Sequence, residues 1–505
     1  MVVKITSATV VGLETYKIEA EIDTVNSIPQ ISIVGLPDTA VSEAKERIKL
    51  AIKNSGYHFP QTKVVINLAP ADLKKEGTSL DLAMAMGILL KEGELEADCK
   101  DIAFLGELSL DGNIRPINGV LAIVSSLCNF GIKKVILPYE NLVEASFVDT
   151  VEVLGAKKLK DAVNYLKEGK PLATKKNNIE NFLNIKEEFE FDFSNVKGQV
   201  LAKKALEIAA AGGHNILMSG SPGSGKTLLA KAFPSILPPL TKEEAVELTK
   251  IYSIAGLLDN SKPLISSRPF RSPHHSASAV GIIGGGSTPK PGEITLAHRG
   301  VLFLDEMVEF PRAVLEVLRQ PLEDGDVTIS RAQGSVKYPA NFILLGAMNP
   351  CPCGYFGDSK KRCTCSEFQI KRYKGKLSGP LLDRIDLQID VARLTEEELT
   401  NIKEKRETSA EIRARVIKAR KIQEERYSGT LIHTNSELNA KYINKFCNID
   451  DTSKQMLKGA ITKFNLSGRA YDRILKISRT IADLEGSKEI SASHIAQALQ
   501  FRSLT

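Results

Sequence analysis

Gly220-Ser221-Pro222-Gly223-Ser224-Gly225-Lys226-Thr227 fits the pattern G-x-x-x-x-G-K-[ST]. Glycines at these positions let backbone N–H groups converge on phosphate oxygens with no Cβ in the way. A helix beginning there adds partial positive charge. In this pattern Lys226 reaches the β- and γ-phosphates of a nucleotide and Thr227 holds Mg²⁺. Farther along, Asp305 and Glu306 close an apolar run, Val301-Leu-Phe-Leu304. Asp305 would complete the Mg²⁺ shell, and Glu306 would polarise an attacking water, because hydrolysis needs a base beside the γ-phosphate. Asn349 closes a third apolar run that starts at Phe342. Its amide would orient the same water, or it simply forms a turn.

These side chains need a sheet to bring them together. Asn215-Ile-Leu-Met218 precedes the glycine-rich loop as a strand should, and Leu228 to Phe233 begins a helix after it. A fully apolar run such as Val301 to Leu304 predicts a buried parallel strand. Acids at its C-terminal end then sit where α/β sheets bind ligands.

A second group of residues has metal chemistry. Cys351-x-Cys353 and Cys363-x-Cys365 lie in one short stretch. In a reducing compartment this favours a metal over disulfides. Four thiolates suit a closed, tetrahedral, structural Zn²⁺ site, with free thiols or a redox pair as the alternative. The other cysteines, Cys99, Cys128 and Cys447, are scattered and read as inert packing residues.

The 505 residues predict about three domains. A net charge of +6 permits a nucleic-acid partner without demanding one. No apolar run approaches the length of a membrane span, and Met1 to Ile5 lacks a signal-peptide pattern, so a cytoplasmic protein is expected. Residues 1–168 alternate short strands and helices around their own core. Residues 169–190 are polar and suit a linker. Residues 191–392 hold the nucleotide motifs. Residues 393–505 read as helical, with Ile412, Val416, Ala419 and Ile422, and Ile474, Ile477, Ile481 and Leu484, at helical spacing. The fold class expected is a multidomain α/β protein.

The order of the motifs resembles the AAA+ ATPases, and within them the Mg-chelatase-like ComM/YifB family. The most specific pieces are Gly35-Leu-Pro-Asp38, Asn67-Leu-Ala-Pro-Ala-Asp72, Phe270-Arg-Ser-Pro-His-His275, Pro291-Gly-Glu-Ile294, Met348-Asn-Pro-Cys-Pro-Cys-Gly354 and Leu377 to Asp386. The resemblance implies a ring, usually a homohexamer, with ATP and Mg²⁺ between subunits. Arg384 then resembles an arginine finger, the other reading being a charge cluster with Asp383 and Asp386. Arg469 resembles a sensor-2 arginine on the helical lid, with Arg473 a competing choice. Residues 268–295 resemble the helix-2 insert, and their glycines and prolines predict a mobile loop rather than a packed helix. Residues 326–338 resemble the pre-sensor-1 hairpin, a strand, a glycine turn and a strand. In helicases of this type both inserts project into the pore. Arg331 and Lys337 would meet DNA phosphates there, or simply face solvent. His274 and His275 would face the pore, lie on the surface or fix the loop's shape.

The N-terminal domain resembles the Lon-protease fold, of the ribosomal S5 domain 2-like type. Ser79 sits where such proteases place their nucleophile. The segment from Gly106 to Val120 leads to the position of their catalytic lysine, which here is Leu121. A serine needs an adjacent base, and leucine supplies none. Thr78 and Asp81 also fit an N-cap and its third helical position. A non-catalytic platform is therefore expected. Taken together, the resemblance implies an ATP-dependent DNA helicase that promotes branch migration in homologous recombination or natural transformation. The competing readings are a motor for Mg²⁺ insertion into a porphyrin and a protein-remodelling ATPase.

Overall fold

Strand Glu14–Val25 buries Ile18, Ala20 and Ile22 and turns the residues between them outward, the period of two that a half-buried strand requires. It pairs antiparallel with Val3–Val11, where Ile5 and Ala8 have opposite parity and face two different cores. The computed structural model describes residues 2–75, 77–183, 189–259, 261–286, 290–331, 334–358, 360–395, 406–464 and 467–502. They divide into two compact units, Met1–Ile185 with Thr241–Ser266, and Lys186–Leu240 with Ser267–Thr505.

The first unit is built on a seven-stranded mixed sheet in the order Ile31–Val34, Lys63–Ala69, Glu14–Val25, Val3–Val11, Ile102–Phe104, Lys134–Pro138, Glu152–Ala156. Helix Thr39–Asn54 is capped by Asp38, whose carboxylate accepts from Val41 N at 2.7 Å, and it buries Val41, Ala44, Ile48 and Ala51 along one stripe. With helix Asp81–Lys91 it covers one core, while Val120–Leu127 covers the other.

Two expectations need correction here. Thr78 does not cap the helix at Asp81: its hydroxyl donates to Glu107, and Leu80 takes the cap position without a side-chain bond. The Asp81 carboxylate instead accepts from Arg47 Nε at 3.0 Å and from Leu108 N at 3.3 Å. Burial pushes this carboxyl up to about 6, against the pull of Arg47. Cys128, expected to be packed, is exposed, whereas Cys99 and Cys447 are buried.

Residues 241–266 fall inside the 191–392 segment by sequence, yet they fold with the first unit. Helix Lys242–Ala255 opens on a reciprocal cap between Thr241 and Glu244 and buries Ala245, Leu248 and Ile251. A buried carboxylate needs donors, and this helix provides one. Glu144 accepts from the Ser253 hydroxyl and, at 2.9 Å, from Leu121 N. Burial raises the Glu144 carboxyl above its ordinary range.

The second unit holds a five-stranded parallel sheet in the order Phe270–Arg271, Val301–Leu304, Ile343–Met348, Ile216–Ser219, Leu387–Asp390. Helices Ser409–Arg426, Gly468–Glu485 and Ala492–Gln500 share one apolar core with that sheet, so 191–392 and 393–505 lie in a single unit. A polar line crosses this core. His214 sits with Nδ1 at 2.9 Å from Asp386 and Nε2 at 2.8 Å from the Thr480 hydroxyl.

Segment 268–295 is not a loop throughout. Its described residues form helices Ala279–Ile283 and Glu293–Leu296 with Ile282 and Ile294 fully buried. Ser278 caps the first of them, which supplies the helix start that the glycines obscured. The two hairpin strands appear as expected, Asp326–Arg331 antiparallel to Gly334–Pro339, but Gly334 opens the second strand opposite Arg331, and residues 332 and 333 between them lie outside the described residues. No helix among the described residues is long and apolar enough to cross a membrane.

Candidate active site

Three neighbouring strands of the second unit end at the same edge. Ile216–Ser219 runs into Gly220, Val301–Leu304 into Asp305, and Ile343–Met348 into Asn349. The parallel register pairs Ser219 with Met348 and Leu304 with Gly346, which places the three exits side by side. Gly346 leaves room for the Met307 side chain just beyond the acidic pair: a Cβ there would lie 2.8 Å from Met307 Sδ, which would have to shift.

The glycine-rich loop is preformed. Gly223 and Gly225 take φ of 79° and 95°, a region that favours glycine, and a Cβ on either would point into open space. Gly220 is tighter, since a Cβ would meet the Val391 carbonyl at 2.4 Å. Gln199 braces the loop by donating to the Ser224 carbonyl at 3.1 Å and the Ala392 carbonyl at 2.6 Å. The Lys226 ammonium donates to the carbonyls of Gly220 at 2.7 Å and Ser221 at 3.1 Å, and lies 3.4 Å from Asn349 Oδ1. Burial lowers its pKa, with Asp305 and Glu306 pulling the other way. The Ser224 hydroxyl is buried without a hydrogen-bond partner. A buried cation, an orphaned hydroxyl and open glycine backbone together fit a polyanion such as a nucleotide's phosphates.

The acidic pair faces this loop. Thr227 Oγ1 donates to Asp305 Oδ2 at 2.8 Å, so the two oxygens that would hold Mg²⁺ already meet. Glu306 has φ of 50°, uncommon for a residue with a side chain, which is the kind of strain seen at functional positions. Its carboxylate lies 3.6 Å from His275 Nδ1. The His274 and His275 ring centroids lie 4.0 Å apart with the rings tilted by 35°, and the Phe310 ring meets His275 edge-on. His275 therefore faces the acid rather than standing on a free loop surface. Residue types alone gave no sign of that pairing.

The other candidates lie as follows. Arg384 donates to the Pro380 carbonyl at 2.7 Å and pairs with Glu323 of its own chain, with its side chain only 14% exposed. Arg469 is exposed on the first turn of Gly468–Glu485. Arg473 is buried and engaged, 3.4 Å from Asp386. Lys337 does not flank the hairpin turn: it pairs across the ladder with Thr328 and bonds Asp326 Oδ2 at 2.7 Å. Arg331 ends the first hairpin strand, and its side chain lies outside the described residues, as do residues 332 and 333.

The cysteine stretch lies beside the phosphate loop. The sulfurs of Cys351, Cys353, Cys363 and Cys365 all fall within 4.8 Å of one another. Cys351 Sγ is 3.4 Å from Cys353 Sγ and 3.7 Å from Cys363 Sγ. Zn–S bonds of about 2.3 Å in a tetrahedron put sulfurs roughly 3.8 Å apart, so this donor set fits Zn²⁺. Backbone N–H groups of Phe356, Cys353 and Cys365 point at Cys351, Cys365 and Cys363 sulfur atoms. N–H groups of Thr364 and Tyr355 bring the Cys353 thiol down to about 5.

Comparison with known proteins adds the family. Residues 192–399 match the model described as magnesium chelatase, subunit ChlI. Residues 20–141 match that of subunit ChlI of Mg-chelatase, and residues 406–502 its C-terminal model. The chain is 43% identical to the competence protein ComM of Haemophilus influenzae over 498 residues, covering 98% of this chain and 96% of that one. It is 39% identical to YifB of Escherichia coli over 494 residues, covering 98% and 95%. The magnesium-chelatase 38 kDa subunit of Cereibacter sphaeroides is 23% identical over 217 residues, covering 40% of this chain and 58% of that subunit. Identity of this level along nearly the whole length, over a sheet whose strand ends gather a phosphate loop and an acidic pair, means that the chain belongs to the ComM/YifB family of Mg-chelatase-like AAA+ proteins.

Proposed function

We propose that this protein is an ATP-driven DNA motor, a hexameric helicase of the cytoplasm that promotes branch migration in homologous recombination or natural transformation. The observation that carries the reading is the meeting of Lys226, Thr227, Asp305, Glu306 and Asn349 at one sheet edge, in a chain 43% identical to a protein named for competence.

In this reading Lys226 exchanges its loop carbonyls for nucleotide phosphates, and its buried charge is worth more there than in water. Thr227 and Asp305 would hold Mg²⁺, which would supply positive charge beside the reacting phosphates. Glu306 takes the proton of the attacking water, and Asn349 orients that water. Arg384 leaves Glu323 and serves the neighbouring subunit's site as a finger. Arg469 closes the site from the lid. Segment 268–295 is the helix-2 insert and the 326–339 hairpin the pre-sensor-1 insert, with Arg331, Lys337 and the His274–His275 pair moving DNA. The cysteines hold structural zinc. The N-terminal unit is a Lon-like platform without peptidase activity, because Leu121 is fully buried apolar bulk where a base would be needed.

The matches to magnesium-chelatase models favour a second reading, a motor acting on a protein or porphyrin partner without DNA translocation. Unwinding of a labelled forked duplex separates the two. Strand displacement that requires ATP and fails in Glu306→Gln supports the DNA motor. ATP hydrolysis with no displacement on forked or branched substrates sinks it.

A further inference from the structure

The four-cysteine loop touches the machinery that grips nucleotide. Asn349 stands two residues before Cys351 and lies 3.4 Å from the Lys226 ammonium. Gly354 stands one residue after Cys353, with φ of 85°. A Cβ on Gly354 would lie 2.7 Å from Cδ of Pro222, so the cysteine loop lies flush against the phosphate loop. Helix Glu367–Lys374 starts just after Cys365, is capped by Ser366, and buries Tyr373. The Tyr373 hydroxyl meets the backbone of Asn349. Both sides of the cysteine loop thus end on Asn349 or on the phosphate loop.

We propose that the four-cysteine loop is a metal-dependent clasp on the phosphate loop. This rests on the reading of Cys351, Cys353, Cys363 and Cys365 as a zinc site. With metal bound, the four sulfurs fix the loop so that Gly354 supports Pro222 and Asn349 stays on Lys226. Without metal, only the intervening peptide chain and weak contacts to sulfur, such as Cys353 N to Cys365 Sγ at 3.4 Å, join the Cys363–Cys365 half to the Cys351–Cys353 half. The support on Pro222 then relaxes, and the phosphate loop loses the shape that receives nucleotide. The site would make ATP affinity depend on divalent soft-metal supply or on thiol integrity. A zinc site that served only local stability would leave nucleotide affinity alone.

The test uses the full chain. Zinc per chain is counted by metal analysis and by release to a chromophoric chelator. Affinity for a fluorescent ATP analogue is measured before stripping, after it and after Zn²⁺ is returned, with circular dichroism as the check on folding. A second variant, Gly354→Ala, keeps all four cysteines and presses on Pro222. The expected result is one zinc per chain, about a tenfold or greater loss of nucleotide affinity on stripping, and recovery when Zn²⁺ is returned. Gly354→Ala is expected to keep its zinc and lose affinity comparably. Zinc removal that leaves a folded chain with unchanged nucleotide affinity overturns the clasp. So does a zinc-loaded Gly354→Ala variant that binds nucleotide like the parent. A chain that takes up no zinc overturns the metal reading on which the clasp rests.

Discussion

His275 Nδ1 lies 3.6 Å from a carboxylate oxygen of Glu306, and the His275 ring contacts the rings of both His274 and Phe310. A residue of the segment proposed as the insert is thus in contact with the acid proposed to activate water. Movement of the insert would be felt at the site of hydrolysis without any long relay. His275→Ala should lower kcat for ATP about 10- to 100-fold by letting Glu306 wander, with the KM for ATP within a few-fold of the parent. Steady-state kinetics decides. A change in KM alone would place His275 in nucleotide binding instead.

Arg384 pairs with Glu323 of its own chain, so a finger role requires an exchange of partners between subunits. Arg384→Ala should abolish hydrolysis, by about a thousandfold or more, while nucleotide affinity stays within a few-fold. Equilibrium binding beside a hydrolysis assay checks this. Loss of binding and hydrolysis together would point to a structural arginine.

Asp386 makes a clear acid-lability prediction. Burial disfavours its charge, but the His214 hydrogen bond and the charges of His214, Arg473 and Lys476 hold its pKa below the ordinary range. A carboxylate depressed in the folded state lends stability that is present above its unfolded pKa, about 3.9, and is lost as pH falls through the folded value. Asp386→Asn should cost about 3 kcal/mol near neutrality, because it leaves Arg473 in a buried site without its counter-charge. Its stability should then fall less steeply than the parent's below about pH 4. Denaturant unfolding across pH measures both effects. Parallel pH curves for the two proteins would exclude the linkage.

Lys337 is 69% exposed and bonded to Asp326. An exposed pair of this kind is worth about 0–1 kcal/mol, so phosphate can displace the aspartate at little cost. Lys337→Ala should weaken DNA binding at all sequences alike and reduce the slope of log K against log salt by about one unit. Fluorescence anisotropy with a labelled single strand at several salt concentrations would show it. An unchanged slope would remove Lys337 from the interface.

The chemistry was more legible in the sequence than the packing. The phosphate loop, Val301 to Glu306 and the hairpin are local patterns, and a local pattern carries its own geometry. The strand ending at Met348 came out one residue shorter at its start than its apolar run, and otherwise as read. The contact of Gly354 with Pro222 was invisible, since a glycine gives no sign of what will lie against it. Helix Lys242–Ala255 shows an apolar stripe, but the stripe does not say which core will take it, and continuity along the chain pointed to the wrong one. Thr78 and Asp81 had the spacing of a helix cap, yet Glu107 and Arg47, distant in sequence, claimed both side chains. The ion pair of Lys337 with Asp326 was equally hidden, because only the ladder register sets the two diagonally across from each other.

The most direct test of the account is ATP hydrolysis by the purified chain with and without single-stranded and branched DNA at low salt, with Lys226→Ala as the inactive control. The account predicts hydrolysis that DNA stimulates several-fold, with the stimulation fading as salt rises, and none in the control. Steady hydrolysis that neither DNA changes would contradict the DNA motor.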